Sequence, residues 1–216
     1  MIKTTDCFRT GDSMPVGFQM DGINFTLDGL KAFPAHAAAL GEIVTSFSLI
    51  EGVIGGIYGM LRHQTIEQGI ESLQALSTNA KRVQAVRNEI AANSLLSVDQ
   101  THDDLMKQVL SYAEKRNKIA HGIWGAHPAH TDLIYRLPVK KWINFIAASV
   151  RSGTNGTMID DIDALKAHLE EYDLATLAAL KTEGDELLVA VFKLFNALGL
   201  VAAKAEGWIE TPAARS

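Results

Sequence analysis

The chain has 216 residues, 47% hydrophobic and 21% charged, which supplies a sizeable core and argues against general disorder. Its net charge of −5 argues against a general nucleic-acid coat, though not against a small, locally basic site. Cys7 is the one cysteine, so no internal disulfide can form, and a reducing, cytoplasmic setting is expected.

Residues 1–34 are rich in Gly, Pro, Asp and Thr and show no sustained period. They read as an irregular N-terminal arm with room for short strands, and no apolar segment there suggests a secretory signal. From about Ala35 to Arg62, apolar residues at Leu40, Val44, Phe47, Ile50, Ile54, Ile57 and Leu61 predict a long helix. The window Ala37–Leu61 is the most membrane-like in the chain. Glu42 and Glu51 would be costly inside a bilayer, so a buried soluble helix and no membrane partner are expected. Gly52, Gly55, Gly56 and Gly59 form a flat face suited either to intrachain packing or to a dimer seam.

A second helical stretch runs from about Thr65 or Thr78 to Asn93, with a break expected near Ser77-Thr78-Asn79. Ser97–Asp99 reads as a turn and helix start, and the third helix continues to about Ala120, with Gly122 as its stop. Ile123-Trp124, Leu133–Leu137 and Trp142–Ala147 are then rich in β-branched and aromatic residues. With Pro128, Pro138 and the 153–156 turn between them, they predict a small antiparallel excursion at about 123–158. Helical character returns from Asp163 to Tyr172 and from Leu174 to Leu198. The expected fold is mainly α: a single domain over 35–216, a bundle of four to five helices with that β excursion after the third.

Leu105, Val109, Tyr112, Ile119 and Ile123 recur at helical spacing, and Arg116 falls on the same stripe. A guanidinium on a core-facing stripe requires a partner. Glu51, on the stripe Phe47, Ile54 and Tyr58, is likewise a charge on an apolar face. One reading is a buried Arg116–Glu51 ion pair, with Asn117 and His121 capping the helix C-terminus. The other is a site that holds a phosphate and moves a proton without a metal. Arg116 and His121 are five residues apart, about 140° around a regular helix. A twofold axis that duplicates the pair would bring the groups together.

The run Arg116-Asn117-Lys118-Ile119-Ala120-His121-Gly122 resembles the signature of the HEPN superfamily: an arginine, four to six intervening residues and a histidine, the first intervening residue often Asn. The resemblance extends more loosely over Ala35–Gly122 and the closing helix. The β excursion and the arm lie outside a minimal HEPN bundle. The resemblance implies a helical bundle that dimerises, with two motifs facing each other, and metal-independent endoribonuclease activity. It assigns His121 to proton transfer, Arg116 to the charge on the phosphate, and Asn117 to the phosphate or to orienting His121. Glu51 would position Arg116, and Lys115 and Lys118 would attract the RNA backbone. No cofactor or metal is implied. The partners would be RNA, a second copy of the chain and an antitoxin or regulatory protein, in a defence or toxin setting. The alternative is a non-catalytic HEPN-like module that binds RNA, a nucleotide or a protein, with Arg116–Glu51 as a structural pair.

Other constellations rank lower. His121, His127 and His130 with Asp132 could ligate a metal, but Pro128 and turn residues deny them a ligand-bearing helix. The glycines of the first helix lack a Gly-Lys-Ser/Thr phosphate loop. Ser46, Ser48 and Cys7 have no recognisable base partner. Asp160, Asp161 and Asp163 suit a helix N-terminus better than a two-metal nuclease.

Overall fold

The computed structural model describes residues 17–26, 29–93, 100–151 and 158–205. Among them are seven helices and one five-stranded antiparallel sheet. In chain order they are β1 (Gly17–Met20), β2 (Ile23–Thr26), α1 (Pro34–Leu61), α2 (Ile66–Gln74), α3 (Asn79–Ala92), α4 (Gln100–Ala120), β3 (Gly122–Ala126), β4 (Leu133–Pro138), α5 (Val139–Arg151), α6 (Met158–Lys166), β5 (Glu170–Asp173) and α7 (Leu174–Ala205). The chain is thus mainly helical, as expected, with more helices than the four or five anticipated. Cys7, the Ser97–Asp99 turn and the 153–156 turn lie outside the described residues.

Two compact units divide the chain. The sheet unit comprises residues up to Ile43 together with Asn117–Leu180. The helical unit comprises Val44–Arg116 and the residues from Lys181 onward. Helices α1, α4 and α7 each contribute residues to both.

In the sheet unit the strands lie in the order β1-β2-β3-β4-β5. Within the stretch expected to be an irregular arm, residues 17–26 form a regular hairpin. Its two-residue turn, Asp21-Gly22, has positive φ at both positions (50° and 81°), the geometry for which an Asp-Gly dipeptide is suited. The hairpin joins the sheet through Asn24 opposite Ala126. Met20, Ile23, Phe25, Tyr135 and Leu137 form a core with Phe145 of α5 and Leu165 of α6. Phe18 stacks on Trp142 with ring centroids 3.6 Å apart.

Two expectations are corrected here. Trp142–Ala147 is not a strand but part of α5. Its residues also satisfy a helical period, with Trp142 and Phe145 packing on the sheet while Ile143 and Ile146 stay exposed. Burial of that aromatic face overrides the β preference of the individual residues. Asp163–Tyr172 is not one helix either: α6 stops at Lys166, and Glu170–Asp173 pairs with β4.

In the helical unit Phe47, Ile50, Ile54 and Ile57 of α1 are buried, as are Val83, Val86 and Ile90 of α3. Met106, Val109 and Tyr112 of α4 and Leu187, Val191 and Leu194 of α7 complete the core. Among the described residues α1 is long and apolar enough to cross a membrane. A buried core helix meets the same criterion, and Ile50 and Ile57 are wholly buried. The expected break before Asn79 separates α2 from α3, each with its own N-cap. Thr65 and Gln68 exchange hydrogen bonds as a capping box, and Thr78 Oγ1 accepts from Lys81 N at 3.3 Å.

Two of the α1 glycines, Gly55 and Gly59, are explained by the approach of Thr65 and α2. A Cβ on Gly55 would lie 2.7 Å from Ile70 Cγ1, and one on Gly59 would lie 2.7 Å from Thr65 O. Across the same crossing, a Cβ on Gly69 would lie 2.5 Å from Gly55 O and Gly59 N. Intrachain packing therefore accounts for Gly55 and Gly59, whereas a Cβ on Gly52 would meet nothing within 4 Å. Substitutions at the two kinds of site should have opposite signs. Gly69→Ala forces backbone against backbone and should destabilise by about 2–4 kcal/mol. Gly52→Ala should stabilise by about 0.5–1 kcal/mol through helix propensity alone. Urea midpoints of the two variants against the parent check both.

Candidate functional site

The end of α4 shows why the motif residues lie where they do. The last carbonyls of a helix lack intrahelical donors and must find others. Here the backbone N–H of His121 donates to Asn117 O at 3.0 Å. Arg136 Nε on β4 donates to Lys118 O, and Trp124 Nε1 on β3 donates to Ile119 O at 3.2 Å. The His121 carbonyl accepts from Val139 N, the first residue of α5, at 3.4 Å.

Gly122 belongs to this arrangement. A Cβ there would lie 2.7 Å from Arg136 Cγ, so the glycine makes room for the arginine that closes the helix. Arg136 is 4% exposed and is neutralised by Glu170 on β5, Nη1 to Oε2 at 3.0 Å. Tyr172 donates to the same carboxylate oxygen at 2.9 Å, and its ring meets Trp124 edge-on at 5.3 Å. Strand register places these groups together, since Arg136 lies opposite both Trp124 and Glu170.

His121 itself is exposed, and among the described residues its imidazole takes no part in capping α4. It borders a surface groove with Arg136, Lys140 and Asn144, walled by Pro138 and Ile143. Asn117, half-buried, lies one helical turn before it in the sheet unit. Lys118 is exposed and gives its carbonyl to Arg136.

Arg116 belongs to the helical unit. It is half-buried, with its Cζ 5.1 Å from the centroid of the buried Phe47 ring, a cation–π contact. The stripe expected around it is present, with Val109, Tyr112 and Ile119 at 1%, 1% and 3% exposure. The expected Arg116–Glu51 pair is replaced by another. Glu51 Oε1 accepts from Arg82 Nη1 at 2.9 Å. The same guanidinium donates to Leu76 O at 3.1 Å and to Gln74 O at 3.2 Å. Arg82 thus ties the α2–α3 turn to α1, because α3 begins where its first turn meets Glu51. Lys115 binds both oxygens of Glu183 on α7, at 2.6 and 2.8 Å.

The histidine-rich loop is held by its own contacts. His127 and His130 stack at 4.5 Å, His130 Nδ1 lies 2.5 Å from Tyr135 OH, and His127 Nδ1 accepts from Ala129 N at 3.1 Å. His36 Nε2 lies 3.1 Å from Asp132 O. No group of three or more metal-ligating side chains assembles among the described residues. Ser46 donates to Asp185 and Ser48 to Val44 O.

The sequence reading missed Arg136. Its signal was a charged residue within the apolar run Leu133–Leu137, the same kind of anomaly that singled out Arg116. The chain matches no protein-family model, no curated protein and no solved structure.

Two measurements follow. Arg136→Ala should destabilise by about 2–4 kcal/mol, since it removes a buried charge pair and a helix cap together. Its urea midpoint should fall well below the parent's. Burial, then the nearby Glu183 and Asp185, pushes the Tyr112 hydroxyl up to about 12. Burial and Glu170 push Tyr172 up to about 12 as well. A raised folded-state value contributes stability below the unfolded value near 10 and loses it as pH rises toward 12. Stability should therefore fall between about pH 10 and 12. Absorbance at 295 nm should show Tyr112 and Tyr172 ionising near pH 12 while the fold persists, with Tyr135 also delayed by burial.

Proposed function

We propose that the chain is a HEPN-type, metal-independent endoribonuclease acting as a cytoplasmic homodimer on RNA. The observation that carries this reading is the state of His121. Arg136 and Trp124 satisfy the carbonyls that a histidine at a helix end would otherwise cap. The imidazole is left exposed beside a groove whose described lining contains no carboxylate. A structural role for the histidine thereby loses its main support, while proton transfer needs just such an uncommitted, solvent-reaching ring.

In the proposed reaction a ribose 2′-oxygen attacks the adjacent phosphorus as neutral His121 takes its proton. The 5′-oxygen departs with a proton from the protonated His121 of the second copy. The products are a 2′,3′-cyclic phosphate and a 5′-hydroxyl. Arg116, steadied against Phe47, offsets the charge that builds on the phosphate oxygens, and Asn117 holds the phosphate or orients His121. Glu51 and Lys115 are committed to Arg82 and Glu183 and become supports of the helices that carry the motif. An antitoxin or regulatory protein fits the same reading.

A second reading, a non-catalytic module of the same type binding RNA, a nucleotide or a protein, is favoured by one contact, the seating of Arg116 on a core aromatic ring. Cleavage of RNA in EDTA separates the two. The enzyme should leave cyclic-phosphate ends, and His121→Ala or Arg116→Ala should lower the rate about 10²–10⁴-fold with the helical circular-dichroism signal intact. Equal cleavage by parent and His121→Ala protein would sink the ribonuclease reading.

A further inference from the structure

The groove beside His121 has a composition that the motif does not explain. Strand β4 ends at Pro138 and α5 begins at the next residue, so the first turn of α5 forms one wall. Lys140 and Asn144 are one turn apart on that helix and face the groove together, with Arg136 also lining it. Ile143 is 56% exposed beside them, an unusual position for a large apolar side chain at the rim of a charged groove. The first turn of α5 carries no acid, so the positive end of the helix and Lys140 act in the same direction, while the charge of Arg136 is balanced by Glu170. A lysine and amide dipoles together select an anion. The adjacent apolar shelf selects an anion that carries a flat, apolar face, which describes a nucleotide unit better than a free phosphate. A duplex hides its base faces, whereas a single strand presents them.

We propose that this groove is a binding subsite for single-stranded RNA. It seats a phosphodiester next to the scissile one, with Lys140 and Asn144 on its oxygens and the neighbouring base lying on Ile143. The assignment rests on the ribonuclease reading of His121 for the position of the scissile bond. It also answers the acidic net charge: the attraction for RNA is local, concentrated where no carboxylate lines the described surface.

The test is fluorescence anisotropy of a short, fully 2′-O-methylated single strand, which cannot be cleaved through a 2′-hydroxyl. Lys140→Glu should weaken binding about tenfold, and the slope of log affinity against log salt should flatten by about one. Asn144→Ala should weaken it about threefold. Lys193→Glu on α7, an equal charge change outside the groove, should leave it near the parent value. The proposal is overturned if the parent does not bind the strand, or if Lys140→Glu and Lys193→Glu lower affinity equally. Tighter binding of a duplex or of a free mononucleotide overturns the single-strand assignment. Cleavage assays separate this outcome from that of the reading it extends. Full activity in Lys140→Glu and Asn144→Ala with none in His121→Ala removes the subsite and keeps the ribonuclease. Groove-dependent binding without cleavage by any form keeps the subsite and removes the ribonuclease.

Discussion

The constraint on which the candidate site depends is the need of α4 for hydrogen-bond donors at its C-terminal carbonyls. Helix ends are usually closed by a glycine turn or by water, but α4 runs straight into a strand after a single residue. The donors come from the sheet, Arg136 from β4 and Trp124 from β3. That solution has consequences on both sides. The arginine must be buried, so β5 supplies Glu170 opposite it, and the residue after His121 must be glycine, because the stem of Arg136 occupies the space of its Cβ. The imidazole of His121 is released from structural duty. Within the short stretch that resembles a catalytic signature, Gly122 thus serves the fold and His121 stays exposed; its part in proton transfer belongs to the proposed function.

The same logic separates two arginines that look alike in sequence. Both Arg116 and Arg136 interrupt apolar patterns. Arg136 has a carboxylate and a carbonyl fixed in place by sheet register. Arg116 rests on an aromatic face, a softer contact worth roughly 0.5–2 kcal/mol. Glu51 was the natural acid to assign to Arg116, and its use by Arg82 changes its role from tuning a site to holding the α2–α3 turn.

Electrostatics in this chain are local rather than global. The net charge is acidic, and several lysines and arginines near the motif in sequence are already in ion pairs, as Lys115 is with Glu183. Such half-exposed pairs contribute little to stability, but they remove those cations from any general attraction for nucleic acid. What remains beside His121 is Lys140, Asn144 and the start of α5, and their effect comes from sharing one concave surface.

Several features were legible in the residues alone. The 3.6-residue stripes of α1, α4 and α7, the break before Asn79 and the mainly helical character all follow from local periodicity and capping, which operate within a few residues of chain. The stripe through Arg116 and the position of His121 at a helix end were legible for the same reason. The hairpin at Asp21-Gly22 was marked by its turn dipeptide, although the composition around it pointed to an arm. Tertiary structure alone decided the rest. Whether Trp142–Ala147 became helix or strand depended on which arrangement buried Trp142 and Phe145 against the sheet. Whether Glu51 met Arg82 or Arg116 depended on where α3 crossed α1. Arg136 came to the motif from 18 residues away because strand pairing, and no local signal, carried it there. Periodicity tells which side chains share a face; the identity of the opposite face is set by packing between segments far apart in the chain.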